Sequence, residues 1–245
     1  MNDHSVPWLR NDSGHLRLWA HRGSHHEGGP LENTFGAFVL ALVEGADGIE
    51  LDVHLSADGV PLVFHDETTR RLAADGTDWV VANEPADRLM SLPLRGGHTI
   101  PTLDQVLELV DDAVPVNVEI KDADALPAVL EVLRRRPGAR ILLSSFAVDA
   151  MEVARHAAPH LPRALLVDRL PEGAFEPALD RLAAATWHPC GALLTPARIA
   201  QCQQRGVQIH VWTVNDPTEA LRLAALGVDG IFTDRAGTMR RALGR

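Results

Sequence analysis

The chain has 245 residues, and 46% of them are apolar, which is enough for one large α/β domain or two small ones. A net charge of −10 argues against nucleic acid as a partner, and no apolar run approaches the length of a membrane span. The first fourteen residues are polar and lack the basic start and apolar centre of a signal peptide. We therefore expect a cytoplasmic protein without stable membrane insertion. Cys190 and Cys202 fit no metal or redox spacing and are expected to be free, partly buried thiols.

Strand and helix patterns alternate along the whole chain. The strands are predicted to begin near residues 16, 48, 116, 140, 163, 186, 207 and 230, and helices to cover about 35–44, 101–112, 125–136, 148–158, 175–184, 196–206, 217–226 and 236–243. Eight such alternations favour a closed (β/α)8 TIM barrel that forms a single domain over residues 1–245. The competing fold, a doubly wound open sheet, usually carries a glycine-rich phosphate turn after its first strand, and this sequence has none there.

The second predicted strand continues into a β-hairpin. Its residues alternate between aliphatic side chains on one face and Glu50, Asp52 and His54 on the other. Asp58-Gly59 is a strong hairpin signal, and a two-residue turn at this point would place Asp52 directly opposite His65. The local pattern alone is equally consistent with a polar face of a surface hairpin.

The segment from about 67 to 100 shows little periodicity. It contains Asp-Gly and Gly-Gly pairs and several prolines, which are typical of turns. Irregular segments of this length inside a compact domain are usually functional. We predict a small insertion subdomain that follows the hairpin.

In a barrel of this kind the active site forms where the strands end. The residues at predicted strand ends that could carry chemistry are His21, Arg22, Glu50, Asp52, His65, Glu119, Lys121, His210 and Trp212. Most of them come from the first three strands, which are neighbours, so we expect these side chains to converge. Lys121 is also the only lysine of the chain.

Three carboxylates, Glu50, Asp52 and Glu119, would repel one another on neighbouring strands unless they are protonated or bridged by a cation. Oxygen ligands suit a hard ion, Mg²⁺ or Ca²⁺. With Arg22 and Lys121 beside it, such an ion would create a positive site for a phosphate group. The alternative is a carboxylate cluster that these two basic residues neutralise without a metal.

His21 and His65 could supply the general acid and the general base that cleavage of a phosphodiester requires near neutral pH. The remaining histidines, including His25 and His188, are individually expected to be loop or packing residues. His54 is ambiguous because it shares the face of the carboxylates.

Several short motifs occur in one order along the chain. They are His21-Arg22-Gly23, Glu32-Asn33-Thr34, Glu50-Leu51-Asp52-Val53, His65-Asp66, Ile100-Pro101-Thr102-Leu103, Glu119-Ile120-Lys121, Trp212-Thr213-Val214-Asn215 and Gly227-Val228-Asp229-Gly230-Ile231-Phe232-Thr233-Asp234. Together they cover nearly all of residues 16–235, and the set resembles the glycerophosphodiester phosphodiesterase family, which is related in fold to phosphatidylinositol-specific phospholipase C.

The resemblance implies metal-dependent hydrolysis of a small-molecule glycerophosphodiester to sn-glycerol 3-phosphate and an alcohol. It implies that Glu50, Asp52 and Glu119 bind the divalent cation, and that His21 and His65 are the acid–base pair. The same resemblance makes Arg22 and Lys121 phosphate contacts.

Trp212 would offer an apolar wall to the substrate. Two other functions stay open: a lysophospholipase D-like or other phosphodiesterase, with apolar residues of the insertion lining an acyl groove, and a barrel that binds a phosphorylated ligand without turnover.

Overall fold

The structure, a computed structural model, describes residues 6–9 and 14–245. The strands are β1 (Arg17–Ala20), β2 (Gly48–Leu55), β3 (Pro61–Val63), β4 (Val116–Ile120), β5 (Ile141–Ser144), β6 (Ala164–Val167), β7 (Thr186–Pro189), β8 (Gln208–Val211) and β9 (Gly230–Thr233). The α-helices are α1 (Phe35–Val43), α2 (Ala86–Met90), α3 (Leu103–Val110), α4 (Leu126–Arg134), α5 (Val148–Ala157), α6 (Phe175–Leu182), α7 (Pro196–Arg205), α8 (Pro217–Ala225) and α9 (Ala236–Ala242).

Within the described residues, eight parallel strands form a nearly closed barrel in the order β5-β4-β2-β1-β9-β8-β7-β6. A single parallel bridge between Leu143 and Arg163 joins β5 to β6. The prediction of a (β/α)8 barrel is therefore confirmed. Both faces of the strands are buried, as expected for a parallel sheet that helices cover.

Alternation along each strand divides the core into two parts. The outward residues, such as Leu51 and Val118, pack against the helices in one large apolar cluster. Inside the barrel, Trp19, Leu142 and Phe232 form a smaller cluster. The polar residues of β2 and β4 also face the barrel interior, and they lie nearer to the strand ends than this cluster.

The hairpin of β2 and β3 differs from the prediction in its register. Val53 pairs with Val63, and the Phe64 N–H donates to the Asp52 carbonyl at 3.0 Å, so the residue opposite Asp52 is Phe64 and not His65. The turn has three residues, 57–59, because the hydroxyl of Ser56 accepts the Val60 N–H at 2.9 Å. Gly59 takes the left-handed conformation (φ 82°) that the last position of a three-residue turn requires.

The segment that follows the hairpin contains α2 and three 3-10 turns, at 69–71, 81–83 and 95–97. Its buried apolar residues, including Leu72, Val81, Leu89 and Leu94, form a cluster of their own against the hairpin. An acyl-lining role was predicted for residues 79–81 and 89–94 of this segment, and it fails for Val81, Leu89 and Leu94, which are buried inside the insertion. Trp79 is half-buried and Val80 is exposed. The division of the chain into one domain with an insertion stays a prediction.

The polar segment on which the signal-peptide argument rests, 1–14, lies largely outside the described residues. Among the helices that the structure describes, none is long and apolar enough to cross a membrane. Cys190 and Cys202 are both free, and Cys202 is buried.

Candidate active site

A cavity of about 230 Å³ opens at the carboxyl ends of the barrel strands. It is lined by His21, Arg22, Glu50, His65, Asn117, Glu119, Lys121, Phe146, Leu166, His188, Trp212, Thr213 and Phe232. Seven of the eight side chains predicted for the site are in this lining. The eighth, Asp52, is buried next to it and forms ion pairs with Arg22 and Lys121. The structure thus brings together the eight residues that were given a role at the site, whereas His210, the ninth candidate, lies outside the cavity lining.

Glu50, Asp52 and Glu119 form a carboxylate triad. In the parallel register of β2 and β4, Asp52 lies beside Glu119 and Glu50 beside Asn117, so all three carboxylates face the barrel interior. One oxygen from each lies within 4.8 Å of one oxygen of the other two. Burial and the neighbouring negative charges raise the pKa of Glu50 well above its usual range, and they raise that of Glu119 to about 7.

This triad has the donor set that a hard divalent cation prefers. Its ligands are all carboxylate oxygens, and Oε1 of Glu50 is buried without a hydrogen-bond partner among the described residues. A cation would offset the repulsion that, after burial, raises the pKa values of Glu50 and Glu119. The residues therefore fit a divalent metal ion.

Two cations border the triad. Lys121 Nζ lies 2.6 Å from Glu119 Oε1 and 3.2 Å from Asp52 Oδ1. The Arg22 Nε lies 3.2 Å from Asp52 Oδ2, and its backbone N–H donates to Glu50 Oε2 at 2.8 Å. Burial opposes ionisation of Asp52, but Arg22 and Lys121 outweigh it and lower the pKa of Asp52. With all three carboxylates ionised, the triad together with Arg22 and Lys121 has a net charge of −1, and a bound divalent cation would change this net charge to +1.

The turn that carries Arg22 is shaped by two residues with positive φ. Arg22 itself has φ 55°, and Gly23 has φ 81°. A Cβ on Gly23 would lie 2.7 Å from the backbone and side chain of Ala37 in α1, so only glycine lets the loop approach this helix. This close approach to α1 therefore explains the glycine of the His-Arg-Gly motif.

The two histidines share one arrangement. His21 Nδ1 lies 2.7 Å from Asp234 Oδ1, and His65 Nδ1 lies 2.7 Å from Asp66 Oδ1. A carboxylate on Nδ1 fixes the ring and leaves Nε2 available for a ligand. The roles of Asp66 and Asp234 were missed at the sequence level, although each is the last residue of a recognised motif.

His25 lies near this arrangement, with Nε2 at 3.3 Å from Asp234 Oδ1. His21, His25 and Asp234 have ligand atoms within 4.8 Å of one another, as a metal site would. However, the Asp234 carboxylate already accepts hydrogen bonds from His21 and from Asn215. These hydrogen bonds explain the position of the Asp234 carboxylate, which is the partner of His21.

The insertion contributes Arg71. Its guanidinium bonds both oxygens of Glu32 and both oxygens of Asp66, while Arg22 Nη1 donates to Glu32 Oε1 at 2.9 Å. Burial opposes ionisation of Asp66, but hydrogen bonds from Arg71 and His65 outweigh it and lower the pKa of Asp66 to about 2. Glu32 and Arg71 are therefore further residues of the site that the sequence interpretation did not assign.

Two histidines take positions that differ from the predictions, and the structure assigns a position to His54, which the sequence left ambiguous. His188 lines the cavity, although it was expected to be a packing residue. His210, expected at the site, is buried beneath His188 with ring centroids 5.4 Å apart and does not line the cavity. His54 binds Asp122 through Nδ1 at 2.7 Å, and its Nε2 lies 3.0 Å from the His65 carbonyl, so it supports the hairpin.

One wall of the cavity is apolar. Trp212 packs edge-on against Phe146 at 5.6 Å between ring centroids, and its Nε1 donates to the His188 carbonyl at 2.9 Å. Leu166 and Phe232 continue this wall. The cavity therefore has a charged side and an apolar side.

Comparisons with known proteins identify the family of this chain. Residues 21–238 match the glycerophosphoryl diester phosphodiesterase family. The chain is 35% identical over 237 residues to a glycerophosphodiester phosphodiesterase of Caldanaerobacter subterraneus subsp. tengcongensis, covering 90% of this chain and 94% of that one. It is 33% identical to a protein of the same name from Bacillus altitudinis, covering 89% of this chain and 94% of that one.

Among solved structures, a phosphodiesterase of Oleispira antarctica in complex with the product sn-glycerol-3-phosphate superposes with a TM-score of 0.86 and 28% identity. The superposition covers 95% of this chain and 98% of that one. The barrel, the ordered motifs and the family match over most of the chain lead to one conclusion. This chain belongs to the glycerophosphoryl diester phosphodiesterase family.

Proposed function

We propose that the protein hydrolyses glycerophosphodiesters to sn-glycerol 3-phosphate and an alcohol. The observation that carries this proposal is the cavity in which a buried carboxylate triad, two cations and two carboxylate-bound histidines meet. The names of the relatives and the product bound by the Oleispira antarctica enzyme support the choice of substrate.

The phosphate binds on the charged side of the cavity. Glu50, Asp52 and Glu119 would hold a divalent cation, Mg²⁺ or Ca²⁺. When bound, this cation supplies Lewis-acid polarisation of a phosphoryl oxygen. Arg22 and Lys121 supply hydrogen bonds to the remaining phosphate oxygens and balance the charge that develops as the diester is attacked.

The two histidines move the protons. Burial, together with Arg22 and Lys121, lowers the pKa of His65 although Asp52 and Asp66 oppose this effect. Its neutral form is therefore favoured at pH 7, which suits the group that accepts the proton of the attacking hydroxyl. His21 then donates a proton to the departing alkoxide, with Asp234 stabilising the charged imidazolium. When the attacking hydroxyl is water, sn-glycerol 3-phosphate forms directly. When it is a hydroxyl of the substrate's own glycerol, the alcohol leaves and a cyclic phosphate forms, and water then opens this ring to give sn-glycerol 3-phosphate, with the two histidines exchanging proton roles.

Trp212 offers its ring to the carbon atoms of the substrate on the apolar side. A cytoplasmic location stays a prediction.

A substrate panel tests the proposal. Choline release is measured from glycerophosphocholine and from detergent-dispersed lysophosphatidylcholine, with Mg²⁺, Ca²⁺ or Mn²⁺ added, and release of sn-glycerol 3-phosphate is measured in parallel. We expect glycerophosphocholine to be the better substrate, because most apolar residues of the insertion, including Val81, Leu89 and Leu94, are buried in its own cluster. Faster release from the lysolipid would favour a lysophospholipase D, and absence of release from every diester would favour a binding protein without turnover.

A further inference from the structure

Helix α1 has an outer face without any polar side chain. Every residue from Phe35 to Val43 is apolar or glycine, whereas each of the other α-helices that the structure describes carries charged residues. The inner side of α1 packs on the barrel, but Phe35, Val39 and Val43 are 37%, 44% and 78% exposed. A helix that is apolar on all sides is normally buried on all sides, so this outer face indicates a partner that covers it.

The exposed side chains form one ridge along the helix. Phe35, Val39 and Val43 follow one another at the i, i+4 spacing that aligns side chains on a helix surface. We call these three residues the α1 ridge. The helix is only about 13 Å long, so it cannot alone bury the roughly 800 Å² per partner that stable interfaces need. A stable partner must therefore also contact the helices on either side of α1.

These neighbouring helices are α3 and α9. The strand order β9-β1-β2 places α1 between them, and α3 contacts α1 directly. On the other side, the Gly237 N–H donates to Glu44 Oε2 at 3.0 Å, and Arg240 Nη1 donates to the Gly45 carbonyl at 3.0 Å. The helices of a (β/α)8 barrel all run in the same direction, so α3, α1 and α9 lie side by side.

The two neighbours of α1 expose opposite charges. Glu108 of α3 is exposed, and so are Asp111 and Asp112 at the end of that helix. Arg241 of α9 is exposed as well, and its guanidinium donates to the Thr238 hydroxyl at 3.3 Å. Within residues 6–9 and 14–245, neither Glu108 nor Arg241 forms an ion pair. An acidic helix and a basic helix therefore border the apolar ridge.

A second copy of the chain matches both the apolar ridge and the charges beside it. A two-fold axis parallel to α1 places α3 of each copy opposite α9 of the other, so the acidic and basic helices meet twice. Glu108 and Arg241 both lie in the second half of their helices, and hence at a similar height on the barrel. An axis perpendicular to α1 would instead oppose α3 to α3 and α9 to α9, with like charges together.

We propose that the protein forms a symmetric dimer in which the two α1 ridges pack on each other and α3 of each copy faces α9 of the other. Phe35, Val39 and Val43 then each meet their own counterpart along the axis. Because the two barrels are related by an axis parallel to α1, both active-site cavities open toward the same end of the dimer. This inference is independent of the proposed reaction.

The mass of the full chain in solution tests the dimer. Sedimentation velocity at micromolar concentrations should give twice the 26.6 kDa mass of one chain. Val39→Asp places two like charges on the axis, so it should raise the dissociation constant by about 10²-fold or more. Val153→Asp is the matched control, because Val153 is 58% exposed and lies on α5, across the barrel from α1. This control should leave the dimer unchanged.

A charge exchange tests the orientation of the two copies. Glu108→Arg and Arg241→Glu should each weaken the dimer about tenfold, since each change brings like charges together twice. The double variant restores opposite charges across the interface, and it should return the dissociation constant close to that of the wild type.

Three results would overturn the proposal. The first is a wild type that stays monomeric at every concentration, and co-sedimentation of this monomer, but not of Val39→Asp, with phosphatidylglycerol vesicles would assign the ridge to a lipid surface instead. The second is a wild-type dimer that Val39→Asp leaves intact. The third is a double variant that dimerises no better than the two single variants. The wild-type mass requires no variant to fold, and failure of the proposed hydrolysis would leave it unchanged.

Discussion

Arg71 of the insertion binds the carboxylate of Glu32, in the loop after β1, through two hydrogen bonds of 2.8 and 2.7 Å. The same guanidinium donates to Asp66 at 2.6 and 3.0 Å. Glu32 binds Arg22 and Asp66 binds His65, so one side chain of the insertion supports both Arg22, the proposed phosphate contact, and His65. The insertion is thereby part of the site and not only a cover over the barrel.

Replacing Arg71 by alanine should lower kcat/KM by about 10–10²-fold, because small displacements of catalytic groups are costly. The effect on the melting temperature should be small, since the Arg71 side chain is 45% exposed and exposed ion pairs contribute little to stability. The Asp66 carboxylate would then interact with His65 and no longer with Arg71, so the pKa of His65 should rise. NMR titration of the imidazole can measure this rise.

Arg70→Ala is the matched control for this variant. Arg70 is the preceding residue, its side chain is 77% exposed, and its ion pair with Asp78 is 3.7 Å long. Equal kcat/KM values for the two variants would show that Arg71 has no positioning role.

His65→Ala and His21→Ala should each lower kcat by about 10²–10⁴-fold, the usual contribution of acid–base catalysis. Metal affinity, measured by calorimetry, should stay close to that of the wild type, because neither ring belongs to the carboxylate triad. His26→Ala is the control, since this exposed ring hydrogen-bonds the neighbouring Glu27 carbonyl and does not line the cavity. Wild-type turnover in His65→Ala would remove His65 from the proposed mechanism.

Metal binding should weaken as the pH falls below about 7, where the Glu119 carboxyl of the metal-free protein becomes protonated. The loss should approach tenfold in affinity per pH unit if one proton is displaced by the ion. Asp52→Asn should weaken binding at every pH. A calorimetric metal affinity that does not change between pH 5.5 and 8 would contradict the raised pKa.

The raised pKa of Glu119 also predicts how the metal changes the stability of the folded protein. The pKa of Glu119 is higher in the folded metal-free protein than its ordinary value of 4.5, so its stabilising contribution is complete below pH 4.5 and is lost as the pH rises through about 7. A cation offsets the resulting repulsion. Added metal should therefore raise the melting temperature more at pH 8 than at pH 5.5, and Glu119→Gln should reduce this difference.

His210 should limit stability in acid. Burial lowers its pKa well below the ordinary value of 6.5, so the folded protein keeps it neutral while the unfolded chain binds a proton. Stability is lost as the pH falls below about 6.5, by up to about 1.4 kcal/mol per pH unit for this one group. Urea unfolding between pH 7.5 and 4.5 should show a shallower loss in His210→Phe. Parallel pH profiles for the variant and the wild type would contradict this prediction.

The barrel could be predicted from the sequence because its signals are local. Alternation in β2 and β4 and the cap of α3, where Thr102 and Gln105 exchange hydrogen bonds of 3.2 and 3.0 Å, each depend on neighbours in the chain. The carboxylate triad followed from the order of adjacent strands. The hairpin register did not, since the bond from the Val60 N–H to the Ser56 hydroxyl lengthens the turn by one residue.

The partners of the histidines depend on contacts that span the chain. Asp234 reaches His21 across the β1–β9 pair, and Arg71 reaches Glu32 from the insertion. Periodicity gave no means of separating His188, which lines the cavity, from His210, which lies beneath it, because both occupy inward positions near the ends of neighbouring strands. Such distinctions require the three-dimensional arrangement of the strands.

Release of sn-glycerol 3-phosphate from glycerophosphocholine by metal-stripped protein, before and after addition of Mg²⁺ or Ca²⁺, tests the central claim most directly. The account predicts no release after EDTA treatment, recovery when the ion is restored, and little recovery in Asp52→Asn at the same ion concentration. Undiminished release from the metal-stripped wild type, or full recovery in Asp52→Asn at limiting metal, would contradict a cation held by Glu50, Asp52 and Glu119.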